Sequence, residues 1–107
     1  METVEFQKDS KSAAILTTLA NIPYGRVSSY GEIAKRSGFP GLARFVARVL
    51  QKLPPQSTIP WHRVINSQGK ISFPPGSEMY SHQKRKLLEE GIVFSSSDCI
   101  TKEFFWL

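Results

Sequence analysis

Residues 42–53 constrain the fold most. Leu42, Phe45, Val46, Val49, Leu50 and Leu53 fall at i, i+3, i+4, i+7, i+8 and i+11. That spacing predicts an α-helix with a single apolar stripe, which must be buried against other elements. Arg44, Arg48 and Gln51 fall at i, i+4 and i+7 on a different face. Ala43 and Ala47 are small, so this face can come close to a large partner. Pro54 and Pro55 end the helix.

The partners for the stripe lie upstream. A first helix is expected from near Phe6 to Ala20, with Ile15, Leu16 and Leu19 on one face and Pro23 beyond its end. IPYGRV then reads as a turn with Gly25 as its soft point. Ser29-Tyr30-Gly31-Glu32 fits a capping box that opens a second helix, with Ile33 and Ala34 inward. Gly38 is its expected C-cap, and FPG closes the unit. Helix, short Gly-containing turn, helix with an arginine face is a helix-turn-helix arrangement. Two amphipathic helices joined by FPG also occur in proteins with no nucleic-acid partner.

Downstream, Arg63-Val64-Ile65 and Lys70-Ile71-Ser72 flank Asn66-Ser67-Gln68-Gly69 and predict a small β-hairpin wing. FPPGSEMY reads as a loop. Ser81 is expected to cap a fourth helix ending at Gly91, with Leu87 and Leu88 inward. The tail, Ile92 to Leu107, carries Phe94, Phe104, Phe105 and Trp106, so it is expected to pack on the domain or add an edge strand. The fold class is therefore mainly α: a helix-turn-helix or winged-helix-like domain with a small β-hairpin wing, one domain over residues 1–107.

Charge points to a partner only once it is located. Residues 22–70 hold Arg26, Lys35, Arg36, Arg44, Arg48, Lys52, Arg63 and Lys70 against Glu32 alone, a net +7, whereas the rest of the chain is net −2. Basicity concentrated in the middle suits a polyanion, most simply nucleic acid; the competing reading is an ordinary solvated surface. The single cysteine, Cys99, cannot form an internal disulfide and fits a reducing cytosol, so a cytoplasmic location is expected. Two histidines and one cysteine are too few for a structural zinc site, and neither a membrane span nor a signal segment is expected.

One stretch, IPWHRVIN at residues 59–66, raises a question of chemistry. By itself it fits a catalytic centre, a metal site or a piece of core. PWHRVIN resembles the PCHRV active-site motif of the O6-alkylguanine-DNA alkyltransferases. The resemblance continues upstream through IPYGRVSSYGEIA and GLARFVARVL and downstream to the LLEEG helix end, over roughly residues 13–92. In those enzymes the residue after the motif's proline is a cysteine that takes the alkyl group from guanine. Here it is Trp61, which is the mark of the alkyltransferase-like proteins. An indole N–H is a donor only, with no lone pair to act as the thiolate does. The resemblance therefore implies a protein that is not an enzyme, has no catalytic residue and needs no cofactor or metal.

What the resemblance implies instead is a DNA-damage binder. It would engage duplex DNA containing O6-alkylguanine through the minor groove and flip the lesion, at a cost of a few kcal/mol. By resemblance Arg44 is the arginine finger that fills the gap left by the flipped base, and Tyr30 is the tyrosine that crowds the phosphate beside it. Arg48, Lys35, Arg36, Gln51, Ala43, Ala47, Ser28 and Ser29 complete the expected DNA-contacting set. The expected lesion pocket comprises Trp61, Tyr30, Val64, His62, Arg63 and Glu90. The flat face of Trp61 would pack on the alkylated base, a contact of about 1–3 kcal/mol per base. His62 and Glu90 match the family's proton relay and are expected to persist as a hydrogen-bonded scaffold, and the Val64 carbonyl could accept from guanine N2.

The family further implies that the complex attracts nucleotide excision repair through a UvrA-type damage sensor; a monomer is expected. Two departures bear on the pocket: Leu53-Pro54 replaces the usual Asn-Pro hinge, and FPPGSEMY replaces a Tyr-Ser-Gly loop, leaving Phe73 and Tyr80 as candidate rim residues. Two other readings stay open. One is a helix-turn-helix regulator reading undamaged sequence in the major groove. The other is a residual alkyltransferase using Cys99, although the neighbouring Asp98 would raise a thiol pKa.

Overall fold

The computed structural model describes residues 10–107. The start of the expected first helix, residues 6–9, lies outside them. The described chain forms two compact units, interleaved in sequence. The first comprises the described residues up to Asn21 together with Tyr30–Ile59; the second comprises Ile22–Ser29 and Pro60–Leu107.

The first unit holds three helices: α1 (Ser10–Ala20), α2 (Tyr30–Arg36) and α3 (Ala43–Gln51). Ile15 and Leu19, one turn apart on α1, are fully buried, as are Ile33 and Ala34 of α2 and Val46 of α3. Each aliphatic side chain so buried contributes about 1.5–3 kcal/mol. α2 starts directly after Ser29, where the capping-box signal sits. Its end follows the expected Gly38 cap: Phe39 N–H donates to Ala34 O and Gly38 N–H to Lys35 O. Leu42 N–H then bonds Phe39 O across Pro40-Gly41, closing the turn of the helix-turn-helix. α3 has no side-chain N-cap and no acidic first turn, so burial of Val46 and Val49 carries it.

The second unit contains strands β1 (Ser28–Ser29) and β2 (Val64–Ile65) and helix α4 (Glu78–Glu89). β1 and β2 are parallel, pairing Ser28 with Val64 and Ser29 with Ile65. On its other edge, Val27 N–H donates to Phe104 O and Trp106 N–H to Val27 O. The C-terminal aromatic segment thus packs beside β1 as an added edge. The core gathers Val27, Ile65, Ile71, Leu87, Ile92 and Ile100, with Phe73, Tyr80, Phe94, Phe104 and Phe105 against it.

Three local expectations are corrected. The β-hairpin wing is absent: β2 pairs with β1, not with residues 70–72. The turn itself exists, because Asn66 Oδ1 accepts from Gln68 and Lys70 N–H and Asn66 N–H donates to Lys70 O. Past that bond the returning arm diverges, since Gly69 O takes the N–H of Ile100 instead. The fourth helix starts at Glu78 and is capped by Ser77, whose Oγ accepts from Tyr80 N–H, so Ser81 lies inside it. Leu88 is exposed, because it lies about 100° around the helix from Leu87, and only Gln83 and Leu87 of this helix are buried.

Candidate lesion pocket and nucleic-acid interface

The pocket motif begins with Pro60, after which Trp61–Arg63 make one 3₁₀ turn closed by Arg63 N–H to Pro60 O at 3.1 Å. This turn feeds β2, so the side chains of Trp61, His62 and Arg63 diverge while the backbone is held at both ends. Gln83 supplies the hold from α4. It is 2% exposed, and its Nε2 donates to His62 O and Val64 O, each at 2.9 Å. Both amide protons are used, which ties the backbone on either side of Arg63. The Val64 carbonyl, assigned by resemblance to a guanine amino group, therefore already has one partner.

Glu90 is placed by the end of α4. It is the C-cap, and the chain reverses through Gly91 at φ +88 with Gly91 N–H to Leu88 O and Ile92 N–H to Leu87 O. That is a Schellman turn, fixed by the buried Ile92 and Leu87. A carboxylate is unfavourable at a helix C-terminus, so Glu90 must be neutralised by what surrounds it. Arg63 does this in a fork: Nη2 lies 2.8 Å and Nε 3.1 Å from Oε2, and Nε 3.0 Å from Oε1. His62 Nε2 is 2.7 Å from Oε2, and Gly25 N–H donates to Oε1 at 2.8 Å.

Gly25 reaches the carboxylate from a type II turn, Pro23-Tyr24-Gly25-Arg26, closed by Arg26 N–H to Pro23 O. Its φ of +78 is one that glycine adopts freely. Arg63 Nη1 also donates to Ile22 O at 2.7 Å, and its guanidinium lies 5.6 Å from the Tyr24 ring.

The electrostatics follow from this geometry. Burial raises the Glu90 carboxyl, but the hydrogen bonds from Arg63, His62 and Gly25 outweigh it and hold the group at about 2. Burial lowers the His62 imidazole, and the Glu90 hydrogen bond only partly opposes this. Because Arg63 already balances the carboxylate, His62 need not be charged. It donates Nε2–H to Glu90 as a neutral ring.

Trp61 is half-buried between two imidazoles. His62 meets it in a T-shaped pair, with centroids 6.0 Å apart and planes at 84°, and His82 stacks on its face at 5.6 Å and 28°. Cys99 lies in a separate turn, where its N–H donates to Ser95 Oγ. Phe73 and Tyr80 pack against the apolar core of the unit.

The basic surface belongs to the first unit. Arg44, Arg48 and Gln51 are all exposed on α3, with the half-buried Ala43 and Ala47 beside them. Arg48 lies 5.9 Å from the Phe45 ring. Lys35 and Arg36 are exposed in the last turn of α2, and Tyr30 opens that helix. Ser28 is the exception. It is 1% exposed inside β1, and its Oγ has no hydrogen-bond partner, so it cannot contact DNA as expected.

Gly25, Gln83 and His82 were not legible as site residues. Gln83 left a signal: with Tyr80 and Leu87 it completes an i, i+3, i+7 row, a polar residue on an inward face. Among the described residues no group of three or more His, Cys, Asp or Glu side chains could hold a metal, and no helix is long and apolar enough to cross a membrane.

Comparison with known proteins agrees with the geometry. Residues 10–92 match the family model described as 6-O-methylguanine DNA methyltransferase, DNA binding domain. A DNA base-flipping protein of Vibrio parahaemolyticus is 53% identical over 81 residues, spanning 76% of this chain and 79% of that one. Alkyltransferase-like protein 1 of Schizosaccharomyces pombe is 46% identical over 78 residues, spanning 73% and 72%. The crystal structure of S. pombe Atl1 in complex with damaged DNA containing O6-carboxymethylguanine superposes with a TM-score of 0.79 at 38% identity, covering 92% of this chain and 96% of that one. Fold and relatives agree: the chain belongs to the alkyltransferase-like proteins, built on the DNA-binding domain of the O6-methylguanine-DNA methyltransferases.

Proposed function

We propose that this protein recognises O6-alkylguanine in duplex DNA and holds the flipped base without removing its alkyl group. The observation that carries the reading is the half-buried indole of Trp61 beside a complete His62–Glu90–Arg63 cluster. In the alkyltransferases such a relay activates a thiol; here the adjoining side chain has no nucleophilic lone pair. The same indole offers a flat apolar wall to an alkylated base.

Arg44 on α3 would fill the gap in the stack, Tyr30 would press on the neighbouring phosphate, and Arg48, Lys35 and Arg36 would contact the backbone. A base-flipping relative and a relative solved with alkylated DNA support the reading. A complex that persists because it performs no reaction suits a flag for nucleotide excision repair in the cytoplasm, and would shield the lesion from a true alkyltransferase.

The test is intact-mass measurement after incubation with an equimolar O6-methylguanine duplex. The expected mass is unchanged; a gain of one methyl group, on Cys99 or elsewhere, would refute the claim.

A further inference from the structure

We infer that His82 is the positioning residue that fixes the plane of Trp61 and so sets the preference for an alkylated base, with Arg85 locking His82 in turn. The inference rests on the reading of Trp61 as a wall of the lesion pocket.

The backbone of Trp61 is already fixed by the turn closed on Pro60 and by Gln83 at His62 O. Its side-chain torsions are what remain free. His82 restricts them, because its ring covers one indole face at 5.6 Å and 28°, within the range of an offset stack. The T-shaped contact with His62 adds a second restraint. On this reading the alkylated base stacks on the indole face that His82 does not cover. A base that stacks there need not first order the ring, so part of the ordering cost is met before binding.

His82 is itself held. Arg85, one helical turn along α4, places Nη2 3.2 Å from His82 Nδ1. Arginine only donates, so Nδ1 is the acceptor. Each imidazole at Trp61 is thus tied to a further side chain, His62 to Glu90 and His82 to Arg85. α4 does not depend on His82 for its anchoring, which comes from the buried Leu87 and Gln83 and the Ser77 cap. A substitution at His82 therefore leaves the fold in place.

The test compares wild type, His82→Ala and His82→Phe on matched duplexes with and without O6-methylguanine. The same variants in a Trp106→Phe background report Trp61 by fluorescence anisotropy decay. His82→Ala should lower the lesion-over-undamaged affinity ratio by about two- to tenfold, the range an aromatic pair contributes. Affinity for undamaged duplex should not change, and the Trp61 indole should move more freely. His82→Phe should restore the ratio and the restricted motion. A wild type that discriminates together with an unchanged ratio in His82→Ala overturns the inference, as does equal weakening on both duplexes. A wild type that does not discriminate refutes the lesion reading instead. In that case unchanged Trp61 motion in His82→Ala also removes the clamp.

Discussion

Arg63 and Glu90 meet as a fork-to-carboxylate pair, with Nη2 2.8 Å from Oε2 and side-chain exposures of 15% and 7%. The pair joins the turn that carries Trp61 to the C-cap of α4, and the Gly25 N–H and the His62 ring complete it. Its physical consequence is structural, and the first two predictions follow from that.

Glu90→Ala should destabilise the protein by about 3 kcal/mol in urea unfolding, because it leaves the Arg63 guanidinium buried without its partner. Glu90→Gln should cost less, since an amide oxygen still accepts from Gly25 or Arg63. Equal stability of Glu90→Ala and wild type would show that the cluster is solvated rather than buried.

Stability should fall on acidification in two stages. The folded His62 lies below its ordinary 6.5, so the folded state binds fewer protons there. That contribution is present above pH 6.5 and is lost as pH falls through the lowered value. Glu90, at about 2 in the fold against 4.5, contributes above pH 4.5 and is lost as pH falls towards 2, about 3 kcal/mol in all. Urea midpoints measured from pH 7.5 to pH 3 should show both stages, and Glu90→Gln should remove the lower one.

Gln83→Leu keeps the side chain's bulk but leaves His62 O and Val64 O without their donor. It should cost about 2 kcal/mol. Amide hydrogen exchange should accelerate around residues 61–65, and lesion binding should weaken through the loosened turn. Unchanged exchange there would show that the turn needs no support from α4.

Arg44→Ala should weaken binding to damaged and undamaged duplex alike, by about 1–2 kcal/mol, with no change in unfolding because Arg44 is exposed. Trp61→Ala should instead erode mainly the preference for the lesion, by about 1–3 kcal/mol. Fluorescence anisotropy titrations with labelled duplexes would separate the two patterns.

The helical part of the fold was legible in sequence because it is written in periodicity and caps. The stripe through Val46 and Val49, the start after Ser29 and the cap at Gly38 each depend on neighbours close in the chain. The sheet was not legible. β1 is two serines, the second of which opens a capping signal, and its partner Val64–Ile65 is remote in sequence, so alternation had nothing to act on. The local NSQG turn then suggested a hairpin that Asn66 only begins. In the site, His62, Arg63 and Glu90 were found through a motif, whereas Gly25 contributes a backbone N–H that no side-chain pattern announces. Ser28 looked like a surface hydroxyl and lies inside the sheet.

The central claim is selective binding of the alkylated base, and equilibrium binding to two duplexes identical except for one O6-methylguanine tests it most directly. Tighter binding to the damaged duplex is predicted, with the difference largely lost in Trp61→Ala. Equal affinity of the wild-type protein for both duplexes would contradict it.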